Sequence, residues 1–183
     1  MVALVAVLAL VPDAVLDVRY ATARNFTGRP LYPAPAALLR RPAAERLAKA
    51  AAALRKDGLR LVVYDAYRPL SVQREMWKAK PDPRYVADPA KGSSHNRAGA
   101  VDVALADRDG RPLPMPCDFD EFGPRAAHGA PGAPPAAAAN AARLKAAMEG
   151  AGFLSYQDEW WHYRDPQAPS WPLLDVPLAE AAR

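Results

Sequence analysis

Apolar and polar side chains follow two different periods along this chain. Residues 15–20 and 100–105 alternate between apolar and polar, which is typical of half-buried strands, and the short apolar run 59–65 also predicts a strand. Residues 36–56 carry leucines among alanines and charges and predict a helix, which Asp57-Gly58 would end.

The same two periods continue in the second part of the chain. Residues 71–78 predict a short helix with Ser71 as its N-cap, and residues 136–149 predict a longer helix that ends at Gly150. The aromatic-rich segment 153–163 predicts one strand.

Three segments rich in proline and glycine, 25–35, 81–94 and 115–135, separate these elements and predict irregular loops. An ordered loop as long as 81–94 usually carries function. Strands and helices in this arrangement predict an α+β fold with a mainly antiparallel sheet, helices packed on one side and a cleft. We expect a single domain over 1–183 with its core at about 15–165.

Composition narrows the class of protein. The net charge of +4 is spread along the chain and forms no dense basic tract with interleaved aromatic residues, so nucleic-acid binding is not expected. The apolar segment 1–11 is too short to span a membrane and lacks the pattern of a secretory signal. Cys117 is the single cysteine, so no internal disulfide can form. We expect a cytoplasmic protein, with export to the periplasm or beyond as the alternative.

Candidate chemistry is concentrated in segments that lie far apart. Two of the three histidines, His95 and His162, accompany the carboxylates Asp102 and Glu159. A catalytic zinc needs three protein ligands, an open position for water and a base. His95, Asp102 and His162 can be the ligands, and Glu159 can be the base. Taken singly, each of these side chains would be an ordinary solvated group, but the joint pattern favours a metal site.

The hypothesis makes a geometric demand on the last strand. Asp102 lies on the strand face opposite three apolar residues, so its carboxylate points away from them. Glu159 and His162 are three residues apart and would point to opposite faces of a regular strand, so a bend or bulge must lie between them. Their aromatic neighbours are expected to be packed core residues: Trp160, Trp161 and Tyr163.

These residues stand in two motifs that resemble those of the D-alanyl-D-alanine dipeptidases of the VanX type, a family of zinc D-Ala-D-Ala metallopeptidases. The family patterns have the form Ser-x-His-x-x-Gly-x-Ala-x-Asp and Glu-x-Trp-His. This chain matches them with Ser93, His95, Ala100, Asp102 and with Glu159, Trp161, His162. Similar segments at 17–22, 25–28, 63–69 and 119–122 extend the resemblance over about 15–163. One departure is Ala98, which stands where the family has glycine and is followed by Gly99. If that position needs a positive φ, either Ala98 is strained or the turn shifts by one residue.

The resemblance implies a zinc-dependent dipeptidase that hydrolyses D-Ala-D-Ala to two D-alanines by means of an activated water. It implies one Zn²⁺ per chain and a small dipeptide as the partner, while the oligomeric state stays open. By the same resemblance, Glu159 takes the proton of the water and Arg68 stabilises the oxyanion. Asp120 would accept the ammonium of the substrate, and Ser94 and Tyr20 would add hydrogen bonds.

Several alternatives remain at this level. Arg68 can instead form an ordinary ion pair with Asp65, and Asp120 can be a solvated loop residue. A two-imidazole, one-carboxylate set can hold several divalent metals. The closest rival function is a zinc D,D-carboxypeptidase or endopeptidase acting on peptidoglycan stem peptides, and another is a zinc-bearing binding module without catalysis. His128, outside both motifs, is expected not to be a ligand.

Overall fold

The computed structural model describes residues 3–181, which form an α+β fold. The strands in this part of the chain are β1 (Leu4–Ala6), β2 (Val15–Leu16), β3 (Leu38–Arg40), β4 (Arg60–Asp65), β5 (Ala100–Ala106), β6 (Leu154–Tyr156) and β7 (Glu159–Arg164). The helices are α1 (Val7–Leu10), α2 (Arg41–Arg55), α3 (Leu70–Ala79), α4 (Pro135–Gly150) and α5 (Leu178–Ala181).

The larger sheet has five strands in the order β2-β4-β5-β7-β6. The β2–β4 pairing is parallel, and the β4–β5, β5–β7 and β6–β7 pairings are antiparallel. Strands β1 and β3 form a separate antiparallel pair. Helices α2 and α4 contact each other, α2 packs against β4, and α4 packs against β5, β6 and β7.

Strand β5 is the centre of the core. Every residue from Ala100 to Ala106 is buried, including both the valines on one face and the alanines and Asp102 on the other. Helix α4 packs against this strand, and Asp102 lines a cavity together with loop residues and Met76 of α3. The alternation in the sequence reflects the size and polarity of side chains on two covered faces rather than one covered and one solvated face.

The predicted helix over 36–56 is wrong at its beginning. Residues 38–40 form β3, which pairs with β1, and α2 begins at Arg41. Pro42 lies in the first turn of α2, where a proline is tolerated because its missing N–H would have no partner in the helix. Leu38 and Leu39 are buried by the strand pairing, so tertiary contacts override the local preference for helix.

The predicted N-cap of α3 is also wrong. The helix begins at Leu70 with Pro69 as the preceding residue, and the backbone N–H of Ser71 donates to the carboxylate Oδ1 of Asp175 at 2.6 Å. A carboxylate distant in sequence thus satisfies an N–H group in the first turn that a side-chain cap would otherwise bind.

Two further strand predictions hold only in part. The expected strand over 15–20 is limited to β2, and a 3-10 turn at Arg19–Ala21 follows it. The single strand expected over 153–163 is a hairpin of β6 and β7. No helix within residues 3–181 is long and apolar enough to cross a bilayer.

Candidate active site

Three potential metal ligands converge beside the centre of the larger sheet. His95 opens a 3-10 turn at His95–Arg97, while Asp102 and His162 are directly opposite each other in the β5–β7 pairing. The Asp102 Oδ1 atom lies 2.9 Å from His162 Nδ1 and 3.3 Å from His95 Nε2. The two ring nitrogens are 3.2 Å apart. The antiparallel register therefore brings together donors from three separate places in the chain.

The spacing of these three atoms fits a divalent cation. Tetrahedral zinc at about 2.0–2.1 Å from each ligand would hold its ligand atoms roughly 3.3 Å apart. The separations of 2.9, 3.2 and 3.3 Å are close to that spacing. His95 Nδ1 lies 2.7 Å from the backbone oxygen of Ala66, to which it can donate a hydrogen bond, so Nε2 can present its lone pair to the cluster.

The charged forms of Asp102 and His95 stabilise each other. Burial opposes ionisation of Asp102, yet the adjacent His95 and His162 nitrogens outweigh burial and hold the pKa of Asp102 below its ordinary value. Burial likewise opposes the charged form of His95, but the Asp102 carboxylate raises the pKa of His95. A positive charge is therefore favoured at this point of the molecule, which is the electrostatic environment that a bound cation requires.

Glu159 lies in the same cavity as the three donors. In the β6–β7 pairing, Tyr156 is opposite Glu159 and the adjacent Ser155 is opposite Tyr163. A shift of one residue along β6 therefore corresponds to a shift of four residues along β7. This irregularity is the bend that the spacing of Glu159 and His162 required. Burial raises the pKa of Glu159 to about 7. Within residues 3–181 its carboxylate accepts no hydrogen bond, which leaves it able to act as a base or acid.

Arg68 is held rigidly at the wall of this cavity. Its Nε and Nη2 donate to Asp65 Oδ2 at 3.1 and 2.7 Å, and its Nη1 donates to Gln73 Oε1 at 2.8 Å. The guanidinium also lies 5.2 Å from the centroid of the Tyr20 ring. Burial opposes the charged form, but the Asp65 carboxylate raises the pKa of Arg68. The ion pair with Asp65 that the sequence offered as an alternative thus exists, and Arg68 also lines the cavity.

Asp120 approaches the site from the loop between β5 and α4. Both of its carboxylate oxygens lie within reach of the Tyr20 hydroxyl, at 3.0 and 3.1 Å. Its backbone has a φ of 62°, an unusual value for a residue other than glycine, which often marks functional sites. Burial and the neighbouring Asp102 carboxylate raise the pKa of Asp120 to about 7.

The cavity has a volume of about 190 Å³. All of the site residues proposed from the sequence line it: Tyr20, Arg68, Ser94, His95, Asp102, Asp120, Glu159 and His162. It also has lining residues that the sequence did not single out, among them Phe26, Met76, Tyr85, Phe122 and Tyr156. His128 lies elsewhere, where its backbone N–H donates to the oxygen of Gln157.

Comparison with known proteins leads to the same family as the two motifs. The profile of the D-ala-D-ala dipeptidase family matches residues 1–181. The chain belongs to this family. A D-alanyl-D-alanine dipeptidase of Escherichia coli (strain K12) is 44% identical over 163 residues, which are 89% of this chain and 84% of that protein. Those of Enterococcus faecium and Streptomyces coelicolor are 33% and 31% identical, over 88% and 89% of this chain and 91% and 92% of their own lengths.

Ala98 is the residue at which this member of the D-Ala-D-Ala dipeptidase family departs from the family pattern. Ala98 takes the left-handed conformation, with a φ of 53°, so the expected strain falls on this alanine. The adjacent Gly99 could not carry a side chain, because an added Cβ would lie 2.5 Å from the Cβ of Ala168 and 2.9 Å from the Trp171 ring. Close packing therefore fixes the loop that carries His95.

In this family member, two side chains that hold Arg68 and Asp65 in place were not predicted from the sequence. Gln73 is fully buried on α3, where it accepts from Arg68 and donates to the backbone oxygen of Ala87. Tyr32 donates its hydroxyl proton to Asp65 at 2.7 Å. A glutamine one turn after Arg68-Pro69 was the available signal for the first of these contacts, but nothing local connects Tyr32 with Asp65.

Proposed function

We propose that the protein is a zinc-dependent dipeptidase that hydrolyses D-Ala-D-Ala to two D-alanines. The observation that carries the proposal is the convergence of His95, Asp102 and His162 with the carboxylate of Glu159 in one cavity. Its volume of about 190 Å³ suits a small substrate, since sites for drug-sized ligands measure roughly 300–1,000 Å³. In this proposal the cavity is a zinc cleft beside a mainly antiparallel sheet.

His95, Asp102 and His162 would hold one Zn²⁺. Two neutral imidazoles and a carboxylate are a common ligand set of catalytic zinc sites, which leave at least one further position open. When bound, the cation acts as a Lewis acid toward the scissile carbonyl and a water molecule. The preference for zinc over other divalent metals rests on membership of the family, because the ligand set alone admits several.

Glu159 would move the proton. Its carboxylate takes a proton from the attacking water and returns it to the nitrogen of the leaving D-alanine as the C–N bond breaks, so one water is consumed for each peptide bond. A base works best when its pKa is near the operating pH, and burial raises the pKa of Glu159 to about 7.

Arg68 would stabilise the negative charge that develops on the carbonyl oxygen. A donor that is already in place costs no reorganisation during the reaction. The Arg68 guanidinium meets this condition because Asp65 and Gln73 fix three of its nitrogens. Its role as an ion-pair partner therefore supports, rather than replaces, the catalytic role.

The ends of the dipeptide would be recognised by polar groups at the cavity wall. Asp120 would accept the substrate ammonium, whose positive charge favours the ionised carboxylate against the burial that raises its pKa to about 7. The Tyr20 hydroxyl, which lies 3.0 Å from Asp120, orients that carboxylate. Ser94 also lines the cavity and would add a hydrogen bond to the substrate.

A direct assay tests the proposal. Purified protein with measured metal content is incubated with D-Ala-D-Ala and, separately, with a pentapeptide that ends in D-Ala-D-Ala, and D-alanine release is followed. We expect efficient cleavage of the dipeptide and little of the pentapeptide. Cleavage of the pentapeptide alone would establish the D,D-carboxypeptidase function instead. Zinc binding without cleavage of either substrate would favour a binding module.

We further propose that the enzyme acts in the cytoplasm. The chain has a single cysteine, so its fold contains no internal disulfide and does not need an oxidising compartment.

A further inference from the structure

A second cavity adjoins the active site. It has a volume of about 330 Å³ and is called the outer cavity here. Gly123, Pro124 and Asp158 belong to its lining alone. Both cavities share five wall residues: Arg84, Tyr85, Phe122, Tyr156 and Glu159. Because Glu159 is among them, the outer cavity begins next to the reacting groups.

Two aromatic rings in this shared wall are stacked on each other. The centroids of Tyr85 and Phe122 are 4.9 Å apart with an angle of 29° between the rings. The ammonium of Lys80 lies 4.9 Å from the Tyr85 centroid and 5.4 Å from the Phe122 centroid. Phe26 meets Phe122 edge-on at 5.4 Å. Stacking and cation–π contact are both favourable, so the rings hold two long loops together across the wall.

The stacked pair lies at the end of the active site where the substrate ammonium is expected. Phe122 follows Asp120 by two residues, and its backbone N–H donates to the backbone oxygen of Asp120 at 2.9 Å. Phe26, which packs on Phe122, also packs edge-on against Tyr20, the partner of the Asp120 carboxylate. A peptide extended beyond its second residue at the amino end would therefore have to pass the two rings.

We propose that the stacked pair Tyr85–Phe122 determines specificity by closing the passage from the active site to the outer cavity, which restricts the substrate to a dipeptide. With the rings removed, the outer cavity has room for a third residue at the amino end. This inference rests on the proposed function, since it assigns the dipeptide limit to particular side chains. Both rings are only partly buried, so their removal should leave the core intact.

The test compares two substrates on four variants. Initial rates with D-Ala-D-Ala and with D-Ala-D-Ala-D-Ala give the ratio of the two kcat/KM values for wild type, Tyr85→Ala, Phe122→Ala, Tyr85→Phe and Phe122→Tyr, all with measured zinc content. We expect each alanine variant to raise the tripeptide-to-dipeptide ratio by at least about tenfold, the size of effect that pocket contacts have on discrimination. The two variants that keep an aromatic ring should retain the wild-type ratio.

Several outcomes would overturn the inference. The ratio of both alanine variants could equal that of wild type, the wild type could cleave the tripeptide as well as the dipeptide, or Tyr85→Phe could change the ratio as much as Tyr85→Ala. Failure of the proposed function looks different, because zinc-loaded wild type would then release no D-alanine from the dipeptide, and both proposals would fall together. Should one alanine variant not fold, the other tests the same pair from the opposite loop.

Discussion

Replacing Asp65 with asparagine would remove the negative charge that accompanies the buried Arg68 guanidinium. In the structure Asp65 Oδ2 accepts both hydrogen bonds from Arg68, while Oδ1 accepts from the Tyr32 hydroxyl and the Ala66 N–H. If the asparagine keeps its oxygen toward Tyr32, its NH₂ group points at the N–H donors of Arg68. If the amide is flipped, the NH₂ group points at the N–H of Ala66 instead. In either orientation two donor groups face each other, so the amide cannot satisfy every partner.

The expected cost follows from the burial of both partners. Asp65 is fully buried and Arg68 is 8% exposed, so the variant leaves an uncompensated charge in the interior. Breaking a buried ion pair in this way costs about 3–5 kcal/mol, against a typical unfolding free energy of roughly 5–15 kcal/mol. We also expect kcat to fall, because the guanidinium loses the contact that fixes its position.

Urea unfolding of the zinc-loaded proteins measures this cost. The matched control is Asp13→Asn, since Asp13 also accepts two hydrogen bonds from one arginine, Arg55, each at 2.8 Å, but at the surface. An exposed pair of this kind contributes about 0.2–1 kcal/mol, so the control should lose no more than that. Equal losses of unfolding free energy in the two variants would refute the argument from burial.

Four further predictions concern the active site and its loop. Glu159→Gln should keep its zinc and lose activity by roughly 10²–10⁴-fold, and near wild-type turnover would contradict its role as the base. Acidification should release zinc and activity together, because His95 and His162 must be neutral to bind metal; full metal content and activity below about pH 5 would contradict the ligand set. In the metal-free protein, burial raises the pKa of Glu159 from 4.5 to about 7, so the folded state favours the protonated acid and its stability falls as the pH rises through 7. Glu159 should contribute at most about 3 kcal/mol to this loss, so between pH 5 and pH 8 metal-free Glu159→Gln should lose less stability in thermal unfolding than the metal-free wild type. Asp120, whose pKa burial also raises to about 7, keeps its own contribution in both proteins, and equal losses in the two would contradict the assignment to Glu159. Gly99→Ala should destabilise the zinc-loaded protein by about 1–3 kcal/mol in urea unfolding, whereas Gly150→Ala, with open space at the added Cβ, should not; tolerance of alanine at Gly99 would show that the loop can shift.

The elements that the sequence predicted well are those whose pattern is local. The helix expected at 136–149 is α4 at Pro135–Gly150, and the strand expected at 100–105 is β5 at Ala100–Ala106. The error at 36–40 has a different origin. Leu38 and Leu39 fit a helix by composition, and only the pairing of β3 with β1 makes them a strand. Such long-range pairing is not visible in a local window.

The same distinction applies to the active site. The motifs around His95 and His162 indicated which polar residues to consider, and His95, Asp102, Glu159 and His162 all line one cavity. The contacts of Tyr32 and Gln73 could not be predicted, because each depends on how a distant segment packs against Asp65 or Arg68. The stacking of Tyr85 on Phe122 likewise joins two loops whose relative position the sequence does not specify.

The opposition of Asp102 and His162 across β5 and β7 has a consequence for the order in which the protein matures. His95 and Asp102 leave the ribosome close together, whereas His162 follows Asp102 by 60 residues. A growing chain that has emerged only as far as β5 therefore offers two donors, too few for a firmly held ion. With the proposed ligand set, firm capture of a metal would require β7 to have emerged and paired, which would make loading a late event in biosynthesis.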